Sequence, residues 1–298
     1  MTKALALAVG GGAGDEGLVL PSGTTAQRNP VEGAIWYNTE GATPEYYRAS
    51  VGWTGLAAKD GTTQARAALK STDIKLYNPT AATGWYWVVL DGVATQVYVD
   101  MTYDGGGWVL VGTHPINVTI PGLSYAQSTT GFTQLGSSGF TVGAGDPKAY
   151  ASWMPLARWR SVVNANAAGN NFVYFTAGSQ VELGNTGAHS RRSRWKWSGW
   201  GSAYAWQGVS GLTNEVGGVT PGLYTYHVAN GYNWTTYDAD QDVASNNCAS
   251  NYTNAPWWYG SCWDGSFWGG GASGSHANAA FWTGSTSDYY TYGAMYVK

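Results

Sequence analysis

Asp238-Ala239-Asp240-Gln241-Asp242 sets three carboxylates at alternate positions. In a loop, that spacing turns oxygen donors toward one point, as a hard cation such as calcium requires. A solvated acidic turn would carry the same residues, so the spacing leaves both readings open. Cys248 and Cys262, the chain's two cysteines, follow. They can form a disulfide, remain buried thiols, or supply half a metal site. A zinc site needs further Cys or His ligands nearby, and the four His residues are scattered. That favours the disulfide, and with it a setting outside a reducing cytoplasm. Tyr252, Trp257, Trp258 and Tyr259 lie between the cysteines and Trp263 just beyond them. Such rings, apolar with a polar handle, suit either an irregular core or a surface that stacks on sugar.

Other clusters carry weaker chemistry. Arg191, Arg192, Arg194 and Lys196 crowd between His189 and Trp197. They read first as a strand edge blunted by charge, then as a site for anionic glycan, and last as a nucleic-acid contact. Gly105-Gly106-Gly107 before Trp108 permits a tight turn with close backbone packing. No Lys-Ser/Thr follows it to make a phosphate loop. There is no Gly-x-Ser-x-Gly elbow and no His-Glu-x-x-His helix. A pair of carboxylates could in principle cleave a glycosidic bond, but the acids at 238–242 are better used on a cation. The expectation is a protein that binds and is not an enzyme.

The elements that position these residues follow from composition. The chain has 298 residues, 43 of them Gly, 17 Trp and 21 Tyr, with 11% charged. Few helix formers and many aromatics predict a mainly β protein with few short helices, an α+β fold. A net charge of −3 gives no footprint for nucleic acid. No apolar run approaches the ~18 residues of a membrane span. The N-terminal apolar run, Ala4–Val9, is shorter than the ~7–15 residues of a signal peptide's core.

Four segments are expected: a tail at 1–18, a small β module at 19–58, a neck or linker at 59–84, and a large domain at 85–298. In the module, Ile35–Asn38 and Glu45–Arg48 read as short strands, with a third near Val51–Trp53. So small a ribbon cannot bury its own face in water, and copies of itself are the simplest partners. Gln64–Ser71 could form two helical turns with Ala65, Ala68 and Leu69 on one side, a three-stranded neck in a trimer. Gly84–Leu90 reads as a strand. A helix is expected within Pro147–Val163, where Trp153, Leu156, Trp159 and Val163 fall at helical spacing.

Two resemblances sharpen this reading. Val97-Tyr98-Val99-Asp100-Met101 with Gly105-Gly106-Gly107-Trp108 resembles the opening of fibrinogen-like recognition domains. The stretch from Thr235 to Cys262 resembles their calcium loop and the disulfide after it. Phe281-Trp282-Thr283-Gly284 and the Tyr-rich C-terminus resemble the way that family ends. The likeness covers roughly residues 85–298. Separately, Pro21–Arg28 with Asn29–Thr39 resembles a module of bacteriophage tail-fibre and virion proteins.

The fibrinogen-like resemblance implies calcium held by the side chains of Asp238 and Asp240 and the carbonyls of Asp242 and Ala244. An EF-hand is not implied, since Val243 and Ala249 replace its glycine and its closing acid. It implies a Cys248–Cys262 disulfide, whose loop closure removes ~3 kcal/mol of unfolded-chain freedom in the entropy model. It implies a ligand site at Tyr259, Ser261, Cys262 and Trp263, beside a cis Ser261–Cys262 peptide. Trp263 stands where many members have His, so their acetyl specificity is not implied. The family's first cysteine pair is missing, Val99 standing in one place. Together the resemblances imply a bacteriophage virion fibre or spike subunit, a homotrimer joined to other virion proteins through its N-terminal region. Its ligand would be host surface polysaccharide or lipopolysaccharide, with no nucleic acid and no membrane insertion. The competing expectations are a structural capsid decoration with little ligand affinity and a glycan-depolymerising tailspike.

Overall fold

The computed structural model describes residues 20–40, 43–50, 52–55, 59–115, 118, 122–131, 133–166, 172–177, 191–208, 210–216, 231–251, 254–260, 262 and 292–298. The chain divides into two compact units, Met1–Ala58 and Lys59–Lys298.

The first unit is a small sheet of β1 (Ser22–Gly23), β2 (Ile35–Asn38), β3 (Thr43–Arg48) and β4 (Gly52–Gly55), paired in that order. β1 runs parallel to β2, and the other pairs are antiparallel. The expected strands are thus present, joined by a short parallel edge. The Trp36 indole lies over Gly23 and donates to its carbonyl at 3.2 Å. A Cβ at Gly23 would come within 2.7 Å of that ring, so the site admits only glycine. On the same face Arg28 pairs with Glu45 at 2.6 Å and lies 5.4 Å over the Trp53 ring. Asn38 also donates to Glu45, at 3.2 Å.

The second unit begins earlier than expected, and residues 59–84 are not a neck. They make two 3-10 turns and the helix α1 (Ile74–Tyr77). Ala68 forms a parallel bridge with Val88. Ala68 and Ile74 are fully buried in the main core, while Leu69 is left exposed. Two turns of helix are marginal alone; burying these side chains against the sheet stabilises the segment better than a solvated bundle would.

The sheet contains β5 (Gly84–Leu90), β6 (Val93–Asp100), β7 (Trp108–Pro115), β8 (Leu135–Gly136), β9 (Ser152–Trp153), β10 (Phe172–Ala177), β11 (Arg191–Lys196), β14 (Ser210–Val216) and β15 (Tyr292–Val297). A separate pair is β12 (Gly199–Trp200) with β13 (Trp206–Gln207). Among the described residues the order is β14-β11-β10-β15-β7-β6-β5, with β9 also on β7 and β8 on β9, all antiparallel. Three more helices are short or single: α2 (Tyr125–Thr129), α3 (Leu156–Asn166) and α4 (Cys248–Asn251). The fold is therefore mainly β with few short helices, as composition predicts.

One sheet face, carrying Val97, Val99, Val109, Val111, Met295 and Val297, joins the large core with α3. The other carries a smaller cluster of Tyr98, Trp108, Leu110, Ala294 and Tyr296. The helix expected within 147–163 starts at Leu156, because Trp153 is taken by β9; Trp153, Leu156, Trp159 and Val163 are nevertheless all buried. Gly105, Gly106 and Gly107 all have φ near +80°. A Cβ on Gly106 would meet the Met101 carbonyl at 2.8 Å, and one on Gly107 would meet Thr72 at 2.9 Å, so the turn is packed from two sides. The basic strand β11 lies between β10 and β14, not at an edge; it is protected by pairing, and charge is not what blunts it.

Candidate functional site

The acidic loop hangs from the tryptophan core. Trp153 stacks on Trp234 at 5.0 Å, and Trp258 packs at 4.4 Å from Trp234 and 4.2 Å from Trp206. Trp200 stacks on Trp258 at 5.9 Å, and Trp159 lies equally close. Such pairs add ~0.5–1.5 kcal/mol each beyond their area. The Trp234 and Trp153 indoles both donate to Ser128 of α2. One residue beyond Trp234, Thr235 exchanges two backbone hydrogen bonds with Trp257. The loop's base is thus pinned to the cysteine-bounded segment through Trp257.

From that base the chain turns at Thr236–Ala239. Asp238 is exposed, and its Oδ1 accepts from the Thr236 hydroxyl at 2.7 Å and from the Tyr125 N–H of α2 at 2.8 Å. Asn247 reaches back to the Thr236 carbonyl at 2.9 Å. Asp242 is half-buried; Oδ1 accepts from Ala244 N–H at 2.8 Å and Oδ2 from Cys248 N–H at 2.9 Å, so it caps α4. Burial pushes the Asp242 carboxyl above its ordinary range against those two N–H groups, and the adjacent Asp240 carboxylate pushes it further.

These residues fit a hard cation. Asp240 and Asp242 face each other, yet among the described residues no ion pair neutralises either. No described hydrogen bond takes up the main-chain carbonyls of Asp242 or Ala244. No group of three acidic, His or Cys side chains converges among the described residues. A cation here would depend on main-chain oxygens as well as on carboxylates.

Cys248 and Cys262 form a disulfide of 14-residue separation. Cys248 is buried in the core and Cys262 packs against it half-buried. Tyr259 differs from expectation. It is 3% exposed and its hydroxyl donates to the Ala255 carbonyl at 2.9 Å. Trp257 and Trp258 are buried as well. The aromatic run between the cysteines is core, and Tyr259 offers no ring face to a sugar. Ser261 and Trp263, with the Ser261–Cys262 peptide, lie outside the described residues.

Tyr125, Thr236 and Asn247 were not singled out by the sequence. Ser124-x-x-Gln127 does announce a helix start at Tyr125, since it reads as a capping box. That this helix would meet Asp238, 113 positions away, has no local signal.

The arrangement can be set beside known proteins. No protein-family profile matches the chain. The fibrinogen-like globe domain of human ANGPTL6 superposes with a TM-score of 0.57 at 17% identity, over 77% of this chain and 94% of that one. That of human ANGPTL2 gives 0.57 at 18%, over 75% and 95%. Lamprey fibrin D-dimer, complexed with the peptide Gly-His-Arg-Pro-amide, gives 0.58 at 11%, over 77% and 72%. The fold is fibrinogen-like. In sequence, tenascin-N of mouse is 26% identical over 196 residues, 61% of this chain and 10% of that protein. Human tenascin-N is 27% identical over 188 residues, 61% and 12%. The chain spans about a tenth of the length of these curated relatives. Among the described residues of this fibrinogen-like chain, no helix is long and apolar enough to cross a membrane.

Proposed function

We propose that this chain is a recognition subunit that binds host surface glycan through its fibrinogen-like unit, with calcium bracing the 238–244 loop. The observation that carries this is the loop itself: two facing carboxylates and two untaken carbonyls, pinned to the core at Thr235 and to the disulfide through Asp242. Calcium would supply the missing positive charge there. Held by Asp238, Asp240 and the carbonyls of Asp242 and Ala244, it would fix the loop next to Cys262. Ligand contacts then fall to Ser261, Cys262 and Trp263, and Tyr259, buried in the core, makes none. Binding without turnover is the activity proposed.

The resemblance of Pro21–Thr39 to virion modules sets the context: a bacteriophage fibre or spike, extracellular in use, assembled as a homotrimer and docked to other virion proteins through the N-terminal unit. Weak single sites repeated on a trimer and a virion would gain avidity. The test is attachment of the full chain to host cells and to arrayed polysaccharide and lipopolysaccharide, with and without chelator. Saturable binding that chelation weakens supports the proposal; no binding to any glycan or host surface overturns it. Release of reducing ends would establish the depolymerase instead. The burial of Trp257, Trp258 and Tyr259 favours one second reading, a decoration protein whose aromatics serve stability alone.

A further inference from the structure

Trp234, Trp257, Trp258 and Tyr259, which flank the acidic loop, are buried. Tyr237, one residue before Asp238, is instead 41% exposed. Its main chain is fixed. The Tyr237 carbonyl accepts from the Asn247 amide, just before α4, and from the Ser250 hydroxyl within it, both at 3.4 Å. Cys248, between those two, ties α4 to Cys262. The ring is braced as well. A Cβ on Gly122 would lie 3.5 Å from Tyr237 Cδ1 and 2.8 Å from Asn254 Cβ, so glycine lets both side chains rest against one point. Asn254 is exposed and held at φ +59°. Among the described residues, neither Asn254 nor the exposed Asn251 of α4 spends its side-chain amide on a hydrogen bond.

We infer that Tyr237, with the amides of Asn251 and Asn254, is a stacking platform for a neutral glycan; the inference rests on the glycan reading above and adds a contact that residues 261–263 do not supply. The chemistry matches a sugar ring. Its C–H face packs on an aromatic ring, and its hydroxyls exchange hydrogen bonds with amides that both donate and accept. Charge selects the class of sugar. Residues 231–262 contain no Lys or Arg, while Asp238, Asp240 and Asp242 adjoin the ring. One divalent calcium among three carboxylates leaves the loop net negative, so a uronate or phosphate would be repelled there. Extent selects a sugar over a protein. A single ring rimmed by amides and carboxylates offers an apolar face the size of a pyranose, far short of the ~800 Å² that each partner buries in a stable protein interface.

The test uses the full chain with calcium, on host cells and on immobilised neutral polysaccharides (mannan, dextran, galactan) and acidic ones (alginate, hyaluronate, teichoic acid). Polymer binding should be confined to the neutral set. On the tightest of these, Tyr237→Ala should weaken binding about tenfold, and Tyr237→Phe, which keeps the ring, should stay within about threefold of wild type. The melting point and its response to chelator should not move in either variant. Asn254→Gly separates binding from folding. Glycine adopts the left-handed conformation of that residue without strain, so the fold is kept, and loss of the amide should weaken binding about fivefold. If Tyr237→Ala fails to fold, Asn254→Gly alone decides. Binding to acidic polymers only, or neutral binding unmoved by these variants, overturns the inference and leaves the glycan reading standing. No binding to any polymer or host cell overturns the glycan reading and this inference with it.

Discussion

In the C-terminal unit, nine tryptophans among the described residues are fully buried, and all but Trp108 meet another tryptophan ring to ring. In the N-terminal unit, Trp36 and Trp53 stay half-exposed, and what is buried is an Arg28–Glu45 pair. The C-terminal unit supplies its own interior. The N-terminal unit encloses an Arg–Glu pair and leaves Val31, Ile35 and Tyr37 exposed. A chain segment with a large aromatic supply can close a large core by itself, whereas a four-stranded sheet buries little. Substitutions should therefore divide cleanly. Those in the tryptophan core should act on one unit's melting, and those in the small sheet should act on assembly.

The largest expected effect is Trp258→Ala. Its ring contacts Trp153, Trp159, Trp200, Trp206, Trp234 and Trp257, and its indole donates to the Tyr204 carbonyl at 2.9 Å. A cavity there should cost ~3–5 kcal/mol, read as denaturant midpoint by tryptophan fluorescence. The oligomeric state should not change. If the variant dissociates before it unfolds, the two units are not energetically separate.

Next comes acid. His114 on β7 is buried, and that burial depresses its pKa from 6.5 to about 4 against one backbone hydrogen bond at Val118. A depressed histidine stays neutral in the fold while the unfolded chain takes up a proton. Stability should thus fall as pH drops from about 6.5 toward 4, by roughly 3 kcal/mol on the linkage arithmetic. His114→Gln should flatten this slope in thermal melts of the C-terminal unit. A wild-type melting point that is level from pH 7 to 4.5 would refute the buried neutral imidazole.

Calcium follows in size. A cation bound only to the folded chain stabilises it by ~2.7 kcal/mol at a hundredfold excess over Kd, or about 5–11 °C for a unit of this size. Chelation should remove that gain, and Asp240→Ala should abolish the response. The pH dependence carries its own sign. Asp242 has a raised pKa, first from burial and then from Asp240. Without calcium, its protonated form suits the fold, and that contribution is lost as pH rises past the raised pKa. A nearby calcium charge would favour the ionised form, so the metal's gain should fade as pH falls through the same range. A chelator-insensitive melt at neutral pH would remove calcium from the account.

How much of this was legible from sequence depends on how local each cause was. The strands Ile35–Asn38 and Gly84–Leu90 and the triple-glycine turn are written in neighbouring residues, and each stands where the residues imply. Residues 59–77 were misread because Ala68 and Leu69 carry a helical pattern, while Ala68 is buried by a bridge to Val88 and Ser71 by a hydrogen bond to Gly107, both in other elements. Tyr259 was misread because a ring in a loop looks the same whether it faces water or the Ala255 carbonyl. The basic run looked like an edge because nothing local to Arg191–Lys196 says that β10 and β14 flank it.

The smallest effect tests the small sheet from its covered side. Glu45→Gln keeps the shape and a hydrogen bond from Asn38 but leaves the Arg28 guanidinium without its counter-ion. Both side chains keep partial access to water, 15% for Arg28 and 11% for Glu45, so the full penalty of a buried unpaired charge does not apply. About 1–2 kcal/mol is expected, the scale of one charged hydrogen bond. The loss should appear as faster proteolysis or amide exchange within residues 20–55, with the C-terminal melt unmoved. It should also combine differently with the outer face. In the homotrimer proposed above, Ile35→Ala on the opposite side should lower association with little change in exchange within a dissociated chain. If the two faces are independent, the effects of Glu45→Gln and Ile35→Ala should add within ~0.5 kcal/mol. A larger coupling would mean that the polar inside and the apolar outside of this sheet form one cooperative structure, folded only when assembled.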